Sequence, residues 1–137
     1  MTPYLGFRVG SYMYGLPLPS LREVATLGPV RRIQGTPPTV AGLVNVRGEI
    51  ICALDAREVL GLARPTVPDV RFLVVLRRLQ NPIGLIVDSI SDVYTIDADH
   101  IQPLPATWPA SRAAFLAGMA GVPAGPMGLL VLEKVVA

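Results

Sequence analysis

The 137 residues include one cysteine, one histidine and one tryptophan, and charged side chains make up only 16%. Cys52 has no second cysteine with which to form an internal disulfide. The lone imidazole, in Asp97-Ala98-Asp99-His100, has no second one to share a zinc site. None of Ser11, Ser20, Ser89 and Ser111 sits in a nucleophile elbow, and neither Gly-rich phosphate-loop pattern occurs. No catalytic, cofactor or metal role is therefore expected. Apolar runs such as 72–76 and 128–132 fall far short of the roughly eighteen residues of a spanning helix, and no charged-then-apolar leader is present. The expected location is cytoplasmic, without direct membrane insertion. Twelve basic against ten acidic residues leave a net charge of +2, and four Tyr, three Phe and one Trp form no stacking series. Nucleic acid is not an expected partner.

What is present is apolar and punctuated. Hydrophobic residues reach 51%, and 13 Gly with 14 Pro make up about a fifth of the chain, against a usual share of roughly 12%. Short strands in one mainly β unit follow. Tyr4–Val9 and 12–18 read as a hairpin, and 21–27 as a strand ended by Gly28-Pro29. Thr36-Pro37-Pro38 must be irregular. Residues 40–55 form two apolar strands turning at Arg47-Gly48. Asp55 with Glu58 offers a helix cap, so 56–60 is a short helix stopped by Gly61. Residues 63–69 read as a linker, and strands are expected over 70–76, 83–88 and 90–96.

The pattern occurs twice. Laid at an offset of 69, residues 14–27 on 83–96 match Gly15 with Gly84, Leu16 with Leu85, Ser20 with Ser89, Val24 with Val93 and Thr26 with Thr95. At an offset of 76, Ala41-Gly42 meets Ala117-Gly118, Val46 meets Val122, Leu54 meets Leu130 and Val59 meets Val135. Two matches in the same order support a duplicated β module.

Most single residues read as structural: Cys52 as core, His100 as a loop cap, Trp108 as cover over the core beneath a long loop. Arg47 has two readings. A guanidinium at a hairpin tip is either a fork stapling the neighbouring half or an exposed recognition group.

Gly42-Leu43-Val44-Asn45-Val46-Arg47-Gly48, continuing to Leu54-Asp55-Ala56-Arg57, resembles the G-x-x-N-L-R-G…D-L-R signature of the CheW-like adaptor domain of bacterial chemosensory arrays. Leu21-Arg22-Glu23-Val24, Gly84-Leu85-Ile86-Val87-Asp88 and Phe115-Leu116-Ala117-Gly118 extend the resemblance over nearly the whole chain. It implies two small SH3-like five-stranded β-barrels sharing a core, with short helices, divided as 1–66 and 67–137. It also implies a non-enzymatic adaptor joining the regulatory domain of a CheA-type histidine kinase to the cytoplasmic signalling tip of methyl-accepting chemoreceptors. By motif position, Leu21, Glu23, Asn45, Arg47 and Gly48 would bind a partner, while Gly42, Gly84, Val93 and Gly118 would shape a groove. A larger residue at those glycines is expected to block a partner more than to unfold the barrel. The chain departs from the signature at Val46, Cys52 and Ala56, and the prolines of Gly121-Val122-Pro123-Ala124-Gly125-Pro126 are expected to alter the strand ends there. The alternatives are a divergent adaptor that binds receptors without recruiting the kinase and, from another class, a β-barrel module for nucleic acid or peptide.

Overall fold

The computed structural model describes residues 1–62, 70–78, 80–104 and 114–136. The linker expected at 63–69 and Trp108 lie outside the described residues. Among the described residues, ten strands and two short α-helices follow in order. They are β1 (Thr2–Val9), β2 (Tyr12–Pro17), β3 (Leu21–Thr26), β4 (Val40–Val46), β5 (Glu49–Asp55), α1 (Ala56–Val59), β6 (Phe72–Leu76), β7 (Ile83–Val87), β8 (Ser89–Ile96), β9 (Leu116–Val122), β10 (Gly125–Leu130) and α2 (Leu132–Val135). The strand expected from residue 70 begins two residues later, with Val70 exposed ahead of it.

Local chemistry sets the turns. Between β1 and β2, Gly10 takes φ +63°, and between β4 and β5 both Arg47 (φ +50°) and Gly48 (φ +85°) are left-handed, as a two-residue primed turn requires. The Asn45 Oδ1 accepts the Gly48 N–H at 2.9 Å and closes that turn. Asp55 caps α1 by accepting the Arg57 N–H at 3.0 Å, and Gly61 follows the helix at φ +67°.

The strands form two five-stranded sheets, ordered β3-β6-β7-β5-β4 and β8-β1-β2-β10-β9. Matched by the repeat, β1–β5 with α1 correspond to β6–β10 with α2, so both sheets have one topology with their first hairpins exchanged. β6–β7 lies among β3–β5, and β1–β2 lies among β8–β10. A division at 66/67 therefore does not separate the sheets. Parallel pairings of β5 with β7 and β2 with β10 make the exchange. β7 and β10 bury consecutive residues because each has one face toward its own sheet's interior and the other toward the shared middle layer.

Each sheet is closed across its ends. Arg31 pairs with Leu43 on β4 through two backbone hydrogen bonds of 2.9 and 2.8 Å, and Gln102 pairs with Met119 on β9 through two of 2.8 Å. These seams make two small barrels, the first containing β3–β7 and the second the remaining strands. Val44, Val46, Ile51, Ala53, Leu73, Val75 and Ile86 fill the first barrel. Met13, Ile96, Ala120, Met127 and Leu129 fill the second. A third cluster, including Phe7, Tyr14, Leu16, Leu54, Leu60, Val74, Leu85, Val87 and Leu130, takes residues from both and packs them together.

Candidate partner-binding site

The signature residues converge on the seam of the first barrel. β3 carries a bulge, with Leu21 opposite Leu76 but Glu23 opposite Val75, so Arg22 is an extra residue and the neighbouring charges turn toward the β4–β5 tip. There the Arg47 Nη2 lies 2.7 Å from the Glu23 Oε2, and the Arg22 Nη2 lies 2.7 Å from the Glu49 Oε1 and 3.3 Å from the Glu23 Oε1. Hydrogen bonding to Glu49 is the main cause that raises the Arg22 pKa above the ordinary guanidinium value. The Arg47 side chain remains 79% exposed although Glu23 holds it, and Ile50 beside it is 53% exposed. Four alternating charges rimmed by an aliphatic residue can thus meet a polar partner surface with the guanidinium already aimed. The Arg47 pairing is with Glu23 of its own barrel, not with the neighbouring half, and the guanidinium is exposed.

Other expected site residues are placed differently. Leu21 is 7% exposed and belongs to the shared core, so it supports the seam from beneath and offers no contact surface. Asn45 and Gly48 form the turn that carries Arg47. The three glycines expected to shape a groove are buried within the barrels. A Cβ on Gly42, at φ +147°, would land on the Arg31 carbonyl, and one on Gly118 would lie 2.8 Å from the Gln102 carbonyl oxygen. At these equivalent positions of the repeat the chain passes close to its own backbone at each seam. A Cβ on Gly84 would lie 2.6 Å from the Leu73 Cδ1 inside the first barrel. Larger residues there collide with the chain itself, so the expectation that they would mainly block a partner is corrected. Only Val93 of that set is on the surface, 51% exposed on β8. The prolines after Gly121 leave the register next to the β9–β10 turn undisturbed, with Gly125 opposite Val122, Pro126 opposite Gly121 and a Pro123-Ala124 turn; the hairpin's register shift falls farther away, at Leu129/Leu130. The left-handed φ falls to Gly125 at +124°.

Position-by-position reading missed the partnership of Arg57 with Asp88. The Arg57 Nη2 and Nε donate to the two Asp88 carboxylate oxygens at 2.6 and 3.2 Å, and the Asp88 Oδ2 also accepts the Gly10 N–H at 2.7 Å. Both side chains are buried. Hydrogen bonding to Asp88, the main cause, raises the Arg57 pKa above the ordinary value despite burial. The staple ties α1 of the first barrel to the β7–β8 junction and the β1–β2 turn. Its signal was available: Arg57 ends the signature and Asp88 ends the Gly84–Asp88 match.

Among the described residues no group of three His, Cys, Asp or Glu could hold a metal ion, and no helix is long and apolar enough to cross a membrane. The sequence model of a family described as the CheW-like domain matches residues 3–137. The chain is similar to the chemotaxis protein CheW of Klebsiella aerogenes, 28% identical over 131 residues covering 96% of this chain and 79% of that one. It is also similar to a probable chemotaxis protein CheW of Rhizobium etli, 26% identical over 130 residues covering 94% and 83%. A crystal structure of the scaffolding protein TtCheW from Thermoanaerobacter tengcongensis superposes with a TM-score of 0.84 at 25% identity, covering 98% of this chain and 91% of that one.

Proposed function

Because the chain belongs to the CheW-like domain family, we propose that it is a non-enzymatic chemotaxis adaptor that couples methyl-accepting chemoreceptors to a CheA-type histidine kinase. In this role it works in the cytoplasm at receptor arrays, binding the kinase's regulatory domain and the receptors' cytoplasmic signalling tip. The observation that carries the reading is the first-barrel seam, where the signature's Arg47 is held by Glu23 yet 79% exposed. The pair leaves the guanidinium both positioned and open to a partner. A rigid body also suits coupling. Two barrels joined by a common core and the Arg57–Asp88 staple keep two faces in fixed relation, so binding on one constrains the other.

Calorimetric titration with the regulatory domain of the cognate kinase, and separately with a receptor signalling-tip fragment, tests the reading. Saturable binding of both is expected. Binding of the receptor alone would make this a divergent adaptor that does not recruit the kinase, and binding of neither would overturn the proposal. Arg47→Ala is expected to weaken binding of one partner about three- to tenfold while thermal unfolding shifts by less than about 1 kcal/mol, as for an exposed ion pair.

A further inference from the structure

A cavity of about 250 Å³ lies in the first barrel beside the segment at 27–39 that joins β3 to β4. Its frame is tied by backbone hydrogen bonds: the Leu27 N–H donates to the Arg71 carbonyl at 2.9 Å and the Asp55 N–H to the Thr39 carbonyl at 2.8 Å, next to the Arg31–Leu43 pair. Val30, Val40 and Ile86 supply an apolar wall, and Arg32, Arg71 and Asp55 a charged one. The Arg71 Nη1 lies 3.7 Å from the Asp55 Oδ2, beyond hydrogen-bonding distance, and the Asp55 Oδ1 is engaged in the α1 cap. Arg32 is exposed and pairs with no carboxylate among the described residues. Two guanidinium groups therefore border the cavity against one carboxylate.

The second barrel builds the same frame without these charges. There the Val131 N–H donates to the Phe115 carbonyl at 2.8 Å as Asp55 does to Thr39, and the Gln102–Met119 pair takes the place of Arg31–Leu43. Asp55 thus corresponds to Val131 and Arg32 to Pro103. Thr2, opposite Ile96, stands where Arg71 meets Leu27, since Ile96 matches Leu27 at the offset of 69. Closing the barrel asks for none of the three charged residues. The helix cap accounts for Asp55, but nothing in the fold accounts for two arginines at one cavity.

We infer that this cavity binds a small organic carboxylate, with Arg32 and Arg71 holding the anionic group and Val30, Val40 and Ile86 packing its apolar body. A guanidinium fork matches a carboxylate with two parallel hydrogen bonds, and the apolar wall keeps water from competing for them. The volume is just below the roughly 300–1,000 Å³ of pockets for drug-sized ligands, so the body is no larger than a single ring or a short branched chain. Asp55 selects for a single negative charge, because its carboxylate on the same wall repels the second charge of a phosphate.

Methyl NMR titration of the full chain with benzoate, at an ionic strength held constant with sodium chloride, tests the site. Benzamide, which has the shape without the charge, and inorganic phosphate are titrated alongside. Saturable shifts of the Val30, Val40 and Ile86 methyl groups are expected with benzoate, and binding of benzamide and of phosphate at least about tenfold weaker. Arg32→Gln and Arg71→Gln should each weaken benzoate about tenfold, while Arg78→Gln, an exposed arginine outside the cavity, should stay within about twofold. Circular dichroism melting shows which variants are folded; should Arg71→Gln unfold, the exposed Arg32 still carries the comparison. No saturable shift up to about 20 mM benzoate would overturn the inference. So would wild-type affinity in Arg32→Gln, or an equal loss in Arg78→Gln, which would assign the effect to general surface charge. Phosphate binding as tightly as benzoate would overturn the carboxylate assignment. The site is independent of the adaptor reading, which stands or falls on the protein partners alone.

Discussion

Arg57 and Asp88 illustrate how much one buried pair decides. Removing one partner leaves a desolvated charge, so Arg57→Ala is expected to destabilise the protein by about 3–5 kcal/mol in urea unfolding. Replacing both, as Arg57→Met with Asp88→Leu, should recover most of that loss, because apolar packing removes the desolvation cost. The Arg57 pKa is raised in the folded state, so its contribution is fully present below the unfolded guanidinium value and is lost only as pH rises through the still higher folded one. Stability measured between about pH 6 and about pH 9 should therefore show no step from this residue. Glycines divide on similar grounds. Gly42→Ala forces a Cβ onto the Arg31 carbonyl at a left-handed φ and should cost at least about 2 kcal/mol, whereas Gly121→Ala, with nothing within 4 Å, should stay within about 0.5 kcal/mol. The sequence marked Gly42 through the signature but could not show whether the nearby backbone was a partner's or the chain's own. The seam contact that decides this joins segments separated along the chain.

The β4–β5 hairpin shows local chemistry serving an exposed group. Asn45, Arg47 and Gly48 were legible as a turn because an arginine-glycine pair between apolar strands signals one without reference to the rest of the chain. Asn45→Ala removes the side-chain bond to Gly48 and should cost about 1 kcal/mol of stability. Arg47→Gly relieves a non-glycine left-handed residue, so unfolding should show little loss while partner binding falls. That opposition, stability kept and affinity lost, would mark the turn as built for recognition; equal losses would mark it as structural. The β9–β10 hairpin was harder to read, since its two prolines argued for altered strand ends. Pro123 lies in the turn and Pro126 is accommodated near the start of β10. Their register opposite β9 was not visible in composition.

At the scale of the whole molecule, the exchange of hairpins makes neither repeat self-sufficient. Residues 1–66 and 67–137 expressed separately should each lack cooperative thermal unfolding, because each would leave one edge strand, β3 or β8, without its partner and three central strands with one open side, and mixing them should restore the native circular dichroism. Independent folding of either piece would contradict the interleaving. The sequence by itself determined a mainly β chain, the duplication, both early hairpins, the α1 cap and the signature. These rest on periodicity and turn chemistry that act within a few residues. Only the tertiary structure decided which hairpin joined which sheet, since two copies of one pattern offer equivalent pairings and the shared apolar layer selects among them. It alone also buried Leu21 and brought Arg57 to Asp88, because each depends on segments distant in the chain meeting in space.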